Sequence, residues 1–330
     1  MSLKRTGLAE SILQIFPERL RKWFAPCVRK ADRLQEIRIR ASRPVGILLD
    51  NRELFVGEDG ALQACPEAGM KLDAQEVTEL LNHVCSYSLY AFEEELRQGF
   101  ITVPGGHRIG VAGQVVMERP GQIRCLKHIR YLNIRIAHQI RGAADPVLPY
   151  LCGKGTLYNT LILSPPGCGK TTLLRDLIRQ VSNGTGELPG MTVSVIDERS
   201  EIAGSFQGIP QNDVGIRTDV MDGCPKQLGM MMVIRSMAPK VLAIDELGCE
   251  EEIRLLLQAG ACGCRILATI HGADTEELRR KGFMEKAIKN RLFERFIVLG
   301  KKEKGIGIQG IYDQGLRKIY DEGLQGCLNS

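Results

Sequence analysis

The segment Ser164-Pro165-Pro166-Gly167-Cys168-Gly169-Lys170-Thr171-Thr172 has the residue types and spacing that hold a polyphosphate. Its glycines let backbone N–H groups turn inward around a phosphate, and a helix that follows adds the positive end of its dipole. In such a loop Lys170 pairs with the β- and γ-phosphates, Thr171 coordinates magnesium and Thr172 contacts the α-phosphate region. The usual pattern opens with glycine and this one with Ser164, a position that shapes loop entry rather than the phosphate contacts. ATP and Mg2+ are therefore the expected cofactors.

A second piece of the same chemistry follows downstream. Val241-Leu242-Ala243-Ile244-Asp245-Glu246 is an apolar run ending in two carboxylates. After a phosphate loop, an Asp in this place holds magnesium and the adjacent Glu orients or deprotonates an attacking water. Asp245 takes the metal role and Glu246 the water role. Two further apolar runs end in polar groups. Val195-Ile196 leads into Asp197-Glu198-Arg199-Ser200-Glu201, which makes Glu198 and Glu201 rival water-orienting carboxylates. Ala268-Thr269-Ile270 leads into His271, which reads either as a strand-end histidine satisfied by the core or as a γ-phosphate sensor.

These residues need a scaffold that brings strand ends together. Thr160–Leu163, Thr192–Ile196, Val241–Ile244 and Arg265–Ile270 are short apolar runs separated by helical patterns or long connections. That is the signature of strands buried on both faces of a mainly parallel, doubly wound α/β sheet, with ligands at its carboxyl edge. Leu173, Leu174, Leu177 and Ile178 continue the phosphate loop as a helix. Arg295–Leu299, Ile306–Tyr312 and Leu316–Tyr320 read as antiparallel strands finishing one edge.

The first part of the chain has a different rhythm. Ile12, Phe16, Leu20 and Trp23 fall on one helical face, and Pro17 divides it into two short helices. Glu36–Arg40 alternates as a half-exposed strand, and Val45–Leu49 and Glu53–Val56 pair around an Asp50-Asn51 turn. Asp73 and Glu76 make a capping box before a helix bearing Val77, Leu80, Leu81 and Val84. A helix over Leu89–Arg97 and strands over Phe100–Val103, Arg108–Val116 and Tyr131–Ile140 follow. Residues 142–146 read as a linker, so the expected division is a 1–145 α+β domain and a 146–330 ATP-binding domain.

With 330 residues, of which 44% are hydrophobic, the chain can build two cores. Its net charge of +5 is spread along the chain, and the run Lys301, Lys302, Lys304 reads as a solvated turn, so no nucleic acid is expected. The eleven cysteines contain no C-x-x-C pair, and the opening residues lack an apolar signal core. Both predict buried thiols in a reducing cytoplasm. No run of about 18 apolar residues predicts a membrane span.

The order of phosphate loop, acidic box, Walker B and His box resembles the type II and type IV secretion and twitching-motility ATPases. Asp197–Glu201, Thr269-Ile270-His271 and Arg235-Ser236-Met237-Ala238-Pro239 carry the likeness. Those ATPases often keep only the Glu of Walker B, whereas this chain has both acids. A narrower resemblance, to a stage III sporulation family of endospore-forming bacteria, extends over nearly the whole chain, through Leu34–Arg40, Ser164–Arg175, Ile196–Ile202 and Arg235–Gly248. The resemblance implies a RecA-like P-loop NTPase core behind a smaller α+β domain that clamps nucleotide. It implies self-assembly into a hexameric ring, partners among the membrane proteins of a sporulation channel complex, and a cytoplasmic place on the mother-cell side of the forespore membrane. It also implies site arginines in the first domain, where Gly106–Gly110 and Asn133–Ile136 nominate Arg108 and Arg135; exposed strand arginines are the other reading. Two other functions remain beside the motor: a nucleic-acid translocase, which the 5% aromatic content disfavours, and a nucleotide-gated scaffold.

Overall fold

In the computed structural model, which describes residues 7–320 except 120, 154, 187, 303 and 304, the chain divides into two compact units. The first holds residues 1–138 and 204–211, and the second holds 139–203 and 212–330. The division therefore differs from the expected boundary after residue 145. Ala144 and Val147 are fully buried in the second unit's core, and the Ala144 N–H donates to Asp176 Oδ2 at 2.9 Å. These contacts remove the 142–146 linker from the first domain. Gly204–Gln211 leaves the second unit, with Phe206 stacked near Phe92 and the Gly105 N–H donating to the Gln211 side chain.

The first unit opens with helices Leu8–Gln14 and Glu18–Val28, separated at Pro17. The break shifts the helical phase, so Phe24 rather than Trp23 completes the buried stripe; its ring stacks on Phe16 at 3.8 Å. Trp23 instead donates from its indole to the Glu58 carbonyl. A seven-stranded antiparallel sheet follows in the order Leu62–Gln63, Arg52–Val56, Gly46–Leu49, Leu34–Arg40, Gln122–Arg135, His107–Arg119, Phe100–Val103. The helix Ala74–Val84 carries the expected capping box, with both Asp73 and Glu76 engaged, and buries Val77, Leu80, Leu81 and Val84. Leu89–Arg97 is a 3-10 turn followed by a short α-helix. The strand expected over 131–140 instead spans Gln122–Arg135; beyond it the Ala137 N–H turns to His107 Nδ1.

The second unit contains the sheet that matters for the site. Its order is Thr218–Asp222, Val193–Asp197, Val241–Ile244, Arg265–His271, Thr160–Ser164, Arg295–Lys302, Gly305–Asp313. Every pairing is parallel except the last. Residues alternate between two cores: Ile162, Val195 and Ala243 face one, and Leu163, Ile196 and Ile244 face the other. Helices cover both faces, as continuous apolar strands require. Leu316–Tyr320 does not form the expected strand. Asp313 Oδ1 accepts from the Gly315 and Arg317 N–H groups, making a tight turn that leaves a single bridge between Tyr312 and Lys318. Lys301 and Lys302 end a strand and are exposed, and Lys304 lies outside the described residues.

Candidate nucleotide site

The strand Thr160–Ser164, buried along its whole length, delivers the phosphate loop to the carboxyl edge of the sheet. Gly167 and Gly169 have φ values of 72° and 80°, which L side chains rarely adopt. A Cβ on Gly167 would meet nothing within 4 Å, so backbone conformation, not crowding, calls for glycine there. Gly169 precedes the helix Lys170–Asn183, whose N-terminus carries no side-chain cap. Its first N–H groups can therefore serve an external anion. Cys168 is buried between the two glycines, and Ser164 holds the loop entry through its hydroxyl on the Pro165 carbonyl and its own carbonyl on the Gly272 N–H. Pro165 and Pro166 complete the entry, and Thr172 lies in the helix's first turn.

Lys170 and Thr171 meet the two acids that end Val241–Ile244. Lys170 Nζ donates to Glu246 Oε1 at 2.6 Å, and Thr171 Oγ1 donates to Asp245 Oδ2 at 2.7 Å. The strand order makes this possible. Arg265–His271 lies between the loop strand and the Asp245 strand, so its end touches both. Thr269 Oγ1 donates to Asp245 Oδ1 and accepts from the Glu246 N–H at 2.9 Å. His271 Nε2 lies 2.9 Å from Glu246 Oε1, while its Nδ1 is buried without a partner among the described residues. The ring is 43% exposed, which sets it apart from a core histidine.

Glu246 is the hub. Its φ of 57° is left-handed, a strained choice for a residue with a Cβ. Burial, the largest influence, pushes its carboxyl pKa up. The hydrogen bond and charge of Lys170, joined by His271, outweigh that and hold it below the ordinary value of 4.5. Arg199 Nη1 reaches Glu246 Oε2 at 3.2 Å.

The acidic box divides into different tasks. Asp197 is 2% exposed and accepts from the backbone N–H groups of Glu201, Ile202 and Ala203, so it anchors the turn. Glu198 points to Lys226, whose Nζ is 3.6 Å from Glu198 Oε2. The Glu201 carbonyl accepts from Arg175, and Glu198, Arg199, Glu201, Lys226, Asp245 and Glu246 line one small cleft. Lys226 escaped the sequence reading. The signal was present, because a lysine in a helix's first turn opposes the helix dipole.

Arg108 and Arg135 lie on the first unit's sheet, directly opposite each other on neighbouring strands. Arg108 stacks over the Phe100 ring at 4.7 Å, and Arg135 Nε is 3.9 Å from Glu36 Oε1. Among the described residues no cluster of three or more His, Cys, Asp or Glu side chains forms a metal cage. Thr171 and Asp245 form a pair of hard oxygen donors, which suits a magnesium ion that takes its other ligands from phosphate and water. The ten cysteines among the described residues are free thiols, and no described helix is long and apolar enough to cross a membrane.

A family model described as "Sporulation stage III, protein AA" matches residues 7–319. The Stage III sporulation protein AA of Bacillus subtilis (strain 168) is 39% identical over 281 residues, covering 85% of this chain and 87% of that protein. Among solved structures, the Legionella pneumophila ATPase DotB matches with a TM-score of 0.56 at 14% identity, covering 91% of this chain and 81% of the other. The pilus retraction motor PilT, solved with bound ADP, matches with a TM-score of 0.57 at 15% identity over 88% and 81% of the two chains. At such identities the likeness establishes the fold: a RecA-like P-loop core with a mainly parallel sheet, preceded by a smaller α+β domain.

Proposed function

Because this chain belongs to the sporulation stage III, protein AA family, we propose that it is a magnesium-dependent ATPase driving a secretion or channel complex between mother cell and forespore. The observation that carries this reading is the convergence of Lys170, Thr171, Asp245, Glu246 and His271 at one sheet edge beside an uncapped helix N-terminus. Loop backbone N–H groups and Lys170 bind the β- and γ-phosphates. Thr171 and Asp245 would hold the magnesium ion, which neutralises phosphate charge when bound.

Glu246, with His271 on its carboxylate, orients the attacking water and accepts its proton. When Lys170 turns to phosphate, His271 remains on Glu246 Oε1 and senses the γ-phosphate through the same end of its strand. Glu198 and Glu201 line the same cleft, but Glu246 is the one of the three whose side chain meets the phosphate-loop lysine and His271, which favours it for the water. The first domain acts as nucleotide clamp and ring-assembly element, contributing Arg108 and Arg135. The working assembly is a hexameric ring at the mother-cell face of the forespore membrane, docked on membrane proteins of that complex.

The test is ATP binding and single-turnover hydrolysis by the full chain and five variants. Lys170→Ala should lose nucleotide affinity, and Asp245→Asn should lose the magnesium dependence of binding. Glu246→Gln should bind ATP but hydrolyse it about 100-fold more slowly, the usual scale for losing a general base. Glu198→Gln and Glu201→Gln should retain more activity. A Glu246→Gln protein turning over at the wild-type rate, with an acidic-box variant that binds and stalls, would overturn the assignment of the water to Glu246.

A further inference from the structure

The peptide that follows the Walker B carboxylates is held from several sides, and one of the holders is a half-buried lysine outside all four motifs. Glu246 has its strained left-handed backbone at the point where the strand Val241–Ile244 gives way to a turn. Thr269 fixes the start of that turn: its hydroxyl accepts from the Glu246 N–H and its carbonyl from the Leu247 N–H at 2.8 Å. Glu252 fixes the end by accepting from the Gly248 N–H at 2.8 Å. Between them, Lys226 Nζ donates to the Glu246 carbonyl.

Lys226 makes two further contacts, at 3.6 Å to Glu252 Oε1 and 3.6 Å to Glu198 Oε2, and its side chain is only 14% exposed. Glu252 is 5% exposed. A strained φ persists only where its surroundings over-determine it, and the carbonyl is the part of Glu246 that the other two anchors leave unheld. Helix stability does not explain the lysine, since it stands at the first position of Lys226–Ser236, where the dipole favours an acid.

We infer that Lys226 is a positioning residue for the proposed hydrolysis: through the Glu246 carbonyl and the buried Glu252 it locks the backbone that aims the Glu246 carboxylate, and through Glu198 it ties the acidic box to that backbone. This rests on the reading of Glu246 as the water-handling carboxylate. Lys226 touches neither nucleotide nor water in this account, so its loss lowers turnover and spares ground-state binding.

The experiment is a double-mutant cycle on the full chain with Mg–ATP, reading single-turnover hydrolysis, affinity for a fluorescent ATP analogue, and thermal melting. Lys226→Met should hydrolyse at least 30-fold more slowly with affinity within about threefold of wild type, and Lys226→Arg should recover part of the rate because it restores a donor. In a Glu246→Gln background, adding Lys226→Met should cost little more, since both act through one carboxylate.

If Lys226→Met does not fold, Lys226→Met/Glu252→Gln removes the stranded buried charge and should show the same split between rate and affinity. A Lys226→Met rate within threefold of wild type, or a full additional loss on top of Glu246→Gln, overturns the inference. If the double variant also fails to fold, Lys226 is a stability residue and the inference falls too. A Glu246→Gln protein as active as wild type instead sinks the reading beneath it, so the two failures are distinct.

Discussion

Replacing Thr269 by Val tests whether the strand between the phosphate loop and Walker B holds both acids at once. Valine keeps the shape and removes the hydroxyl of a residue with no exposed surface. That hydroxyl has two partners, Asp245 Oδ1 and the Glu246 N–H. Losing a hydrogen bond to a charged group costs about 1.5–3 kcal/mol, and stranding a backbone donor costs about 1–3 kcal/mol. Asp245 keeps Thr171 as a donor, and the turn can relax toward water, so the combined loss should fall near 2–4 kcal/mol. For a unit of this size that lowers the melting temperature by roughly 5–15 °C. Hydrolysis should fall further than the stability loss accounts for, because at temperatures where the variant is fully folded both carboxylates have lost a positioning contact. The assay pairs a thermal melt with single-turnover hydrolysis at 20 °C, well below the transition, and with the magnesium dependence of ATP affinity. A Thr269→Val protein that melts within 1 °C of wild type and hydrolyses ATP at the wild-type rate would refute the argument that this hydroxyl supports both acids.

Two other outcomes follow from the first unit. His107 is fully buried, its Nδ1 accepting from the Ala137 N–H and its Nε2 meeting Ser11 Oγ, and burial lowers its pKa from 6.5 to about 4. Between those values the unfolded chain binds a proton that the folded chain refuses, so this stability is complete above pH 6.5 and drains as pH falls toward 4, by about 3 kcal/mol in all. Urea midpoints at pH 7 and pH 4.5 should diverge in wild type and much less in His107→Gln; equal divergence would remove His107 as the cause. Arg108→Ala and Arg135→Ala should impair hydrolysis more than ATP binding if these side chains serve the nucleotide in the assembled ring. Unchanged turnover by both variants would leave them as sheet-surface arginines.

What the sequence determined by itself was whatever is local. The phosphate loop is a run of nine residues whose glycines, lysine and threonines act within one turn and the helix that follows. The Asp73 capping box closes over four residues, and the buried strands announce themselves as mostly apolar runs. Even the break at Pro17 was local, although the phase change it causes, which exchanges Trp23 for Phe24 in the core, depends on how two helices pack. Strand order is not local. Nothing in the spacing of residues 160, 241 and 265 says that the last strand lies between the first two, yet that insertion brings His271 onto Glu246 and Thr269 onto both Glu246 and Asp245. Side-chain hydrogen bonds between residues dozens of positions apart are likewise settled only when the sheet closes. So Lys226, a single basic residue opening an unremarked helix, becomes a partner of the Glu246 carbonyl, and Gly204–Gln211 joins the first unit although its neighbours in sequence on both sides belong to the second. Local propensity acts over about one helical turn, whereas these placements come from burial and pairing across the whole chain, which only the tertiary fold decides.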